Sequence, residues 1–207
     1  MTEPSDRPSL RQRQRQRTRE EIATAAFALF AEVGFEATTV EQIAARAGVA
    51  TRTFFRHFPT KEDVVFGDQE ELVARLRAAL AATPGDPPLT RIFHAILTVQ
   101  QPDRHPERER ERARLIGESP AVRARSYHLV EALEDAVADT LMGYLGPGDD
   151  ERARARIVAG AIFGALRGAR RTASDHPGAD PRQLVETAFA TISDGASSVL
   201  RGSPHTG

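Results

Sequence analysis

The chain has no cysteine, and none of its apolar runs approaches the ~20 residues that a membrane-spanning helix needs. Without cysteine, the chain cannot form disulfides, cysteine-ligated zinc fingers or a thiol nucleophile. Its first residues are polar and arginine-rich, and they lack the apolar stretch of a secretory signal. These absences lead us to expect a soluble, cytoplasmic protein with no membrane partner.

Charge of one sign does not dominate either, since 28 basic and 29 acidic side chains give the 207 residues a formal net charge of −1. The local placement of charge is more informative. Arginine occupies every second position from Arg11 to Arg19 with no acid among them, and residues 46–61 hold four basic side chains and again no acid. Basic islands of this kind are typical of nucleic-acid contact.

The stretch from Thr39 to Lys61 predicts two short helices joined by a glycine turn. Thr39 can cap the first helix, and Gln42, three residues later, completes a capping-box pattern. Gly48 supplies the turn, because glycine adopts positive φ at little cost. Thr51 is placed to cap the second helix, which a proline then stops. Two short helices with a basic second member are what insertion into a DNA major groove requires.

Residues from about Thr18 to Phe66 resemble the DNA-binding domain of the TetR family of bacterial transcription regulators. The matching pieces are FALFAEVGFEATTV, IAARAGVA and TFFRHFPTKED. They cover both helices, the turn and the start of the next helix. Phe55 departs from the family pattern, which usually has tyrosine there. The resemblance implies a regulator, usually a repressor, that binds double-stranded DNA as a homodimer and releases it when a small molecule binds its larger domain.

Helical periodicity continues through the chain, and no strand-like alternation persists. We predict an all-α fold of about nine helices, with an N-terminal three-helix helix-turn-helix domain and a larger helical ligand-binding and dimerisation domain. One long helix is expected from near Thr60 to about Ala81, and ERERERAR (107–114) is interpreted as a solvated helix face. The predicted divisions are a flexible arginine-rich arm over 1–17, the DNA-binding domain over 18–66, the ligand-binding and dimerisation domain over 67–201 and a flexible tail over 202–207.

The DNA contacts predicted for the second helix follow from side-chain chemistry. Arg52, near its start, can pair bidentately with a guanine. Phe54 and Phe58 are expected in the core, whereas His57 is expected on the outer side. The Arg11–Arg19 segment is either a solubilising tail or a DNA arm, and we favour the arm. The remaining candidates for base, sugar or phosphate contact are Thr39, Arg46 (equally a solvated side chain), Ala50, Thr51, Thr53, Phe55, Arg56 and Lys61.

A dimer interface is predicted on the last two helices. Gly160, Gly164 and Gly168 recur every four residues, although a mid-helix glycine costs up to ~1 kcal/mol relative to alanine. Three glycines in register suggest close backbone approach to a second subunit. The helix over 181–200 is apolar on more than one face, so it must pack against two neighbours, within one subunit or across a dimer. Leu184, Phe189 and Ile192 complete the interface candidates.

The effector site is predicted only by its chemistry. An apolar lining would suit a hydrophobic or amphipathic small molecule. The candidate polar anchors, each more simply explained as an exposed side chain, are His94, His128, Glu131 and Arg167. The lining candidates, each more simply explained as core, are Phe93, Leu97, Tyr127, Met142, Phe163 and Leu166.

An enzyme is the main alternative class. The sequence has no HExxH or GxSxG motif, no glycine-rich phosphate loop and no cysteine nucleophile, and its histidines are scattered. We therefore predict no catalytic residue, no metal site and no cofactor. A further alternative is an all-helical dimeric protein that binds small molecules or partners without specific DNA binding, which the Thr39–Lys61 stretch argues against.

Overall fold

The computed structural model describes residues 9–67, 69–99, 106–176 and 178–201. Within these ranges the chain forms ten α-helices and no strand, which confirms the all-α class. No helix among the described residues is both long and apolar enough to span a membrane. The helices are α1 (Leu10–Val33), α2 (Val40–Arg46), α3 (Thr51–His57), α4 (Lys61–Phe66), α5 (Gln69–Ala82), α6 (Pro88–Val99), α7 (Pro106–Glu118), α8 (Pro120–Leu145), α9 (Asp149–Asp175) and α10 (Pro181–Arg201).

The first helix begins earlier than the sequence suggested. α1 starts at Leu10, so the prediction of a flexible arm over residues 1–17 is wrong for the part from residue 10. Arginine and glutamine are both strong helix formers, and they alternate here. Arg17 Nε also donates to Glu21 Oε1 at 2.9 Å across one helical turn. Residues 1–8 of the predicted arm and the predicted tail over 202–207 lie outside the described residues.

The long helix expected from near Thr60 to Ala81 is divided into two. α4 ends at Phe66, where Gly67 follows with φ of 68°, and α5 begins at Gln69. A positive φ is the conformation that glycine adopts most readily, so the break falls at the residue best suited to it. This division is why the described chain has ten helices rather than about nine.

Packing divides the chain into two compact units. Among the described residues, unit 1 contains 9–67 and 106–126, and unit 2 contains 69–99, 127–176 and 178–201. The division expected at residue 66 differs from this one, because it assigned α7 and the first residues of α8 to the larger domain. Leu115 and Val122 explain their place in unit 1, since both are buried in the apolar core that α1 to α4 build.

The charged helix α7 is not simply solvated. Arg108 is buried and donates to Glu20 Oε1 at 2.7 Å and to Thr24 Oγ1 at 2.6 Å, both on α1. Arg112, one turn further along, donates through Nε to the carbonyl of Val65 at 2.6 Å. The interpretation of the repeat as a solvated face is therefore wrong for these two arginines, which share one side of α7 at a spacing of four residues.

Unit 2 has a larger apolar core. Helices α5, α6, α8, α9 and α10 contribute buried aliphatic side chains such as Leu80, Leu141 and Ile162. The Phe93 ring on α6 lies 4.7 Å from the Phe189 ring on α10. Contacts of this kind stabilise through the apolar area that they remove from water.

Candidate nucleic-acid interface

The first half of the helix-turn-helix forms as predicted. Thr39 Oγ1 accepts a hydrogen bond from the Gln42 backbone N–H at 3.2 Å, and Gln42 Oε1 accepts one from the Thr39 N–H at 2.9 Å. These two bonds make the capping box that starts α2. Gly48 has φ of 69° in the turn, and the next residue, Val49, donates its N–H to the Ala44 carbonyl at 2.9 Å.

The second helix starts differently from the prediction. Thr51 is its first helical residue, and Ala50 occupies the N-cap position without a side-chain hydrogen bond. Thr51 therefore does not cap α3, because the helix begins one position too early for it to do so. Ala50 is exposed and Thr51 half-buried, which leaves the start of α3 open to close approach.

The two faces of α3 differ sharply. Phe54 is fully buried, and His57, three residues later, is only 6% exposed. The prediction that His57 lies on the outer side is thus wrong, since residues three apart share one helix face. On the opposite face Phe55 is 52% exposed between the exposed Arg52 and Arg56. Neither of these guanidinium groups forms a hydrogen bond or ion pair with any residue that the structure describes.

Burial also sets the protonation of His57. Burial lowers the pKa of the imidazole, and the positive charges of Arg56, Arg19 and Arg15 lower it further. Its Nδ1 is buried and has no hydrogen-bond partner among the described residues. The ring is therefore neutral at neutral pH and does not offer a charge to phosphate.

Two further residues that were predicted to contact DNA, Arg46 and Lys61, have hydrogen-bond partners inside unit 1. Arg46 forms a two-point hydrogen bond with the Glu32 carboxylate, including Nη2 to Oε1 at 2.6 Å, and this bond lowers the pKa of Glu32. Both side chains are substantially exposed, so the pair contributes little to stability. The Lys61 ammonium instead donates to backbone carbonyls of the turn between α1 and α2.

Arg19 contacts the end of α3 directly, although no pattern in the sequence indicates this contact. Its guanidinium donates through Nη1 to the His57 carbonyl and through Nη2 to the Gly67 carbonyl, both at 2.8 Å. It also lies 4.2 Å over the centre of the Phe58 ring. No local pattern could reveal these contacts, because the two carbonyls are 38 and 48 residues away in sequence. Arg15, one turn earlier, shares this side of α1.

Five of the six predicted effector residues belong to one apolar cluster in unit 2, and Tyr127 does not. Phe163 and Leu166 are buried in the core of unit 2, and Phe93, Leu97 and Met142 pack against that core. Tyr127 is 61% exposed. None of these six residues lines the cleft of 360 Å³ on α8 and α9. That cleft is lined by Glu131, Glu134, Asp135, Ala138, Arg156 and Ala159.

The predicted polar anchors form weak contacts on the surface of unit 2. His94 Nδ1 lies 3.7 Å from a carboxylate oxygen of Asp86. His128 is at the same distance from Glu131, and Arg167 is 3.7 Å from Glu134. Only Glu131 among the four anchors belongs to the lining of the cleft. The roles predicted for these four residues stay predictions.

The glycines predicted at the dimer interface have open space beside them. A Cβ built at Gly160 or Gly168 meets nothing within 4 Å, and one at Gly164 meets only a side-chain nitrogen of Arg167 at 3.7 Å. Packing within the described chain does not require glycine at these positions. Leu184 and Ile192 are half-buried, whereas Phe189 is buried in the core of unit 2.

Comparison with known proteins identifies both parts of the chain. Residues 22–75 match the family model described as bacterial regulatory proteins of the tetR family, and residues 86–197 match the MftR C-terminal domain. The transcriptional regulator TcmR of Streptomyces glaucescens is 34% identical over 167 residues, which are 77% of this chain and 74% of TcmR. The chain belongs to the TetR family. It is a DNA-binding transcriptional regulator of the ligand-responsive repressor class, and the alternative of a helical module without DNA binding is set aside.

Two other relatives of this TetR-family regulator are also transcriptional regulators. The mycofactocin biosynthesis transcriptional regulator MftR of Mycobacterium tuberculosis is 30% identical over 128 residues, which are 61% of this chain and 65% of MftR. The solved structure of the Thermus thermophilus TetR-family repressor FadR, in complex with lauroyl-CoA, is 26% identical with a TM-score of 0.55. That match covers 91% of this chain and 99% of FadR. The relatives named here are all transcriptional regulators.

Proposed function

We propose that this TetR-family regulator binds an inverted-repeat operator as a homodimer and reads each half-site with the outer face of α3. The observation that carries the proposal is the contrast between the two faces of that helix. Phe54 and His57 are buried, while Arg52 and Arg56 are exposed and have no partner among the described residues. Cationic groups held out by a packed helix are suited to the edges and phosphates of a major groove.

The roles along α3 follow from position. Arg52 lies near the start of the helix, the part that meets base edges, and can pair with a guanine. Arg56, one turn later, is placed for phosphate contact, and Phe55 between them can pack on a sugar or a thymine methyl. The smaller side chains that allow close approach or offer a hydroxyl are Thr39, Ala50, Thr51 and Thr53. Arg46 is a weaker candidate, because Glu32 already neutralises it.

The test is selection of genomic DNA by the purified protein, followed by binding to the enriched duplex over a series of salt concentrations. Arg52→Ala should lose ~1–3 kcal/mol of discrimination at one base position. Arg56→Ala should weaken binding to all sequences and reduce the salt slope by about 0.9. Arg75→Ala, an exposed helical arginine in unit 2, is the matched control and should change neither. Failure to enrich any inverted repeat would contradict the proposal.

The start of α1 carries further arginines that we propose contact DNA together with Arg52 and Arg56. Arg11 and Arg15 are exposed and follow the same four-residue spacing as Arg19, which contacts the end of α3. Replacing both by glutamine should weaken binding to every duplex and flatten the salt slope. Arg17→Gln is the control, since Arg17 bonds to Glu21 on another side of the helix. An unchanged slope in the double variant would reject this part of the proposal.

The proposed dimer interface lies on α9 and α10. Ile157 is 64% exposed, and Gly160, Gly164 and Gly168 continue from it along α9, where packing among the described residues does not require glycine. Small residues on a partly exposed stripe allow the backbones of two helices to approach closely. Sedimentation equilibrium at micromolar concentration should give the mass of a dimer, and a monomer mass would contradict the assignment.

We propose that the effector is hydrophobic or amphipathic and binds in unit 2. The half-buried apolar residues Phe93, Leu97 and Met142 support this proposal, as does the lauroyl-CoA bound by FadR. The cleft on α8 and α9 carries three carboxylates against one arginine, so it does not suit an anionic head group. Release of the operator duplex should be compared for lauroyl-CoA, lauric acid and dodecyltrimethylammonium. Release by none of them would count against an acyl-chain effector.

A further inference from the structure

We propose that Phe55 is a specificity-determining residue, and that its exposed ring contacts the methyl group of one thymine in each half-site. The inference rests on the proposed function of α3 and selects one of the two contacts named there. Phe55 is 52% exposed. No other aromatic ring that the structure describes in unit 1 is exposed, since the remaining phenylalanines are buried or half-buried: Phe27, Phe30, Phe35, Phe54, Phe58 and Phe66.

The Phe55 ring is held in position although it is exposed. It lies edge-on to the Phe54 ring, with 5.6 Å between the ring centres and 88° between the ring planes. This edge-to-face arrangement is one that aromatic pairs favour. Phe54 is fully buried in the core of unit 1, so the contact connects the exposed ring to that core. A side chain that is already ordered loses little freedom when it binds, which favours contact with one particular group in the groove.

The chemistry of the ring restricts what it can recognise. A phenyl group has no donor for a phosphate oxygen or a base edge, and the apolar group that the major groove offers is the C5 methyl of thymine. Phe55 follows Arg52 by three residues, so the two side chains share the side of α3 proposed to meet base edges.

The spacing of these two residues also predicts where the thymine lies. Three residues advance a helix by about 4.5 Å, compared with about 3.4 Å for one base-pair step. The thymine is therefore expected within about two base pairs of the guanine that Arg52 reads. A selected operator with no thymine in that range would overturn the inference.

The first test uses the unaltered protein and the selected operator. Each thymine of one half-site is replaced in turn by deoxyuridine, which removes the methyl group and keeps the base pair. At the thymine that Phe55 contacts, binding should weaken about fourfold, the value for one methyl group removed from water, with an unchanged salt slope. Equal affinity for all the deoxyuridine duplexes would indicate contact with a sugar, which carries no sequence information, and would overturn the inference.

The second test assigns that methyl contact to Phe55, with folding of each variant checked by circular dichroism. Phe55→Ala should bind the thymine and deoxyuridine duplexes equally, whereas Phe55→Leu keeps an apolar side chain and should still prefer thymine. Tyr127→Ala, which removes an exposed aromatic ring in unit 2, is the matched control and should keep the fourfold preference. A fourfold preference that persists in Phe55→Ala would assign the methyl contact to another residue and overturn the inference. Binding of the unaltered protein to the unmodified operator tests the proposed function separately, because that binding does not depend on the deoxyuridine comparison.

Discussion

Units 1 and 2 both have an apolar core, but they differ in the cations that join residues distant in sequence. In unit 1, three buried or half-buried cations bond to distant groups: Lys61 to the turn before α2, Arg19 to the ends of α3 and α4, and Arg108 to α1. In unit 2 the half-buried Arg91 makes comparable bonds to the Leu80 carbonyl and the Tyr144 hydroxyl, but a distant ion pair such as Arg77 with Asp139 joins exposed side chains. Exposed pairs of this kind contribute little to stability.

The difference is suited to what each unit does in a ligand-responsive repressor. Hydrogen bonds depend on direction, so cations bonded to carbonyls hold α2, α3 and α4 in one relative geometry. A surface that reads base edges needs that geometry, because small displacements weaken directional contacts. Apolar packing has no directional requirement and tolerates volume-conserving exchanges, so the sequence of unit 2 is freer to change, which suits the effector binding that we propose for it.

The largest effect is expected from breaking a buried ion pair in unit 1. Asp63 is only 4% exposed, accepts from Arg125 Nε and also caps α4 through the Thr60 N–H at 2.9 Å. Asp63→Ala should lower the free energy of unfolding by about 3 kcal/mol, because it leaves a cation without its partner and removes a cap. Urea denaturation followed by circular dichroism measures the loss.

The matched control for that change is Asp139→Ala in unit 2. Asp139 pairs with Arg77 at 3.2 Å, but both side chains are more than half exposed. Its removal should change the free energy of unfolding by less than about 0.5 kcal/mol. If the two substitutions lower the free energy of unfolding equally, the contrast between the units does not extend to stability.

A second way to test the comparison is to remove the cation that joins α1 to the ends of α3 and α4. Arg19→Ala loses two charge-assisted bonds to the carbonyls of His57 and Gly67 and should destabilise the protein by about 2 kcal/mol. Operator affinity should fall for every sequence, since the end of α3 is no longer fixed. Arg17→Ala breaks only an exposed pair with Glu21, so it should stay within about 0.5 kcal/mol in the same denaturation experiment.

A smaller effect is expected from a substitution on α9 that tests the dimer interface proposed for unit 2. Gly160→Ala adds a methyl group that has no neighbour within 4 Å in the part of the chain that the structure describes, so helix propensity alone predicts a gain of up to ~1 kcal/mol. If two copies approach closely there, the same methyl group should raise the dimer dissociation constant. Gly143→Ala on α8 is the control, since its Cβ is also unobstructed and the proposed interface excludes it. Denaturation and sedimentation of both variants give the two quantities, and tighter dimerisation of Gly160→Ala would reject the interface.

Local features of the fold were predictable from the sequence, and distant contacts were not. The Thr39 capping box and the Gly48 turn depend on residues within a few positions, so their patterns are visible in the sequence. The prediction that His57 lies on the outer side is wrong, because the three-residue spacing from the buried Phe54 places both side chains on one face of α3. The hydrogen-bond partners of Arg19 and Lys61 are more than twenty residues away in sequence, and no sequence periodicity predicts such a contact.

The smallest expected effect concerns pH, and it depends on the burial of His57 in unit 1. Burial and the nearby charges of Arg56, Arg19 and Arg15 lower the pKa of His57 in the folded chain below the ordinary value of 6.5. The unfolded state therefore binds this proton more readily than the folded state. The contribution of His57 to stability is complete above about pH 6.5 and is lost as pH falls through the folded pKa.

Replacing the imidazole isolates that contribution from the other groups that titrate in acid. His57→Gln should lose less stability than the unaltered protein between about pH 7.5 and about pH 5.5, because glutamine binds no proton. Urea denaturation at each pH gives the comparison. Parallel curves for the two proteins would mean that water reaches His57 in solution and that burial does not set its charge.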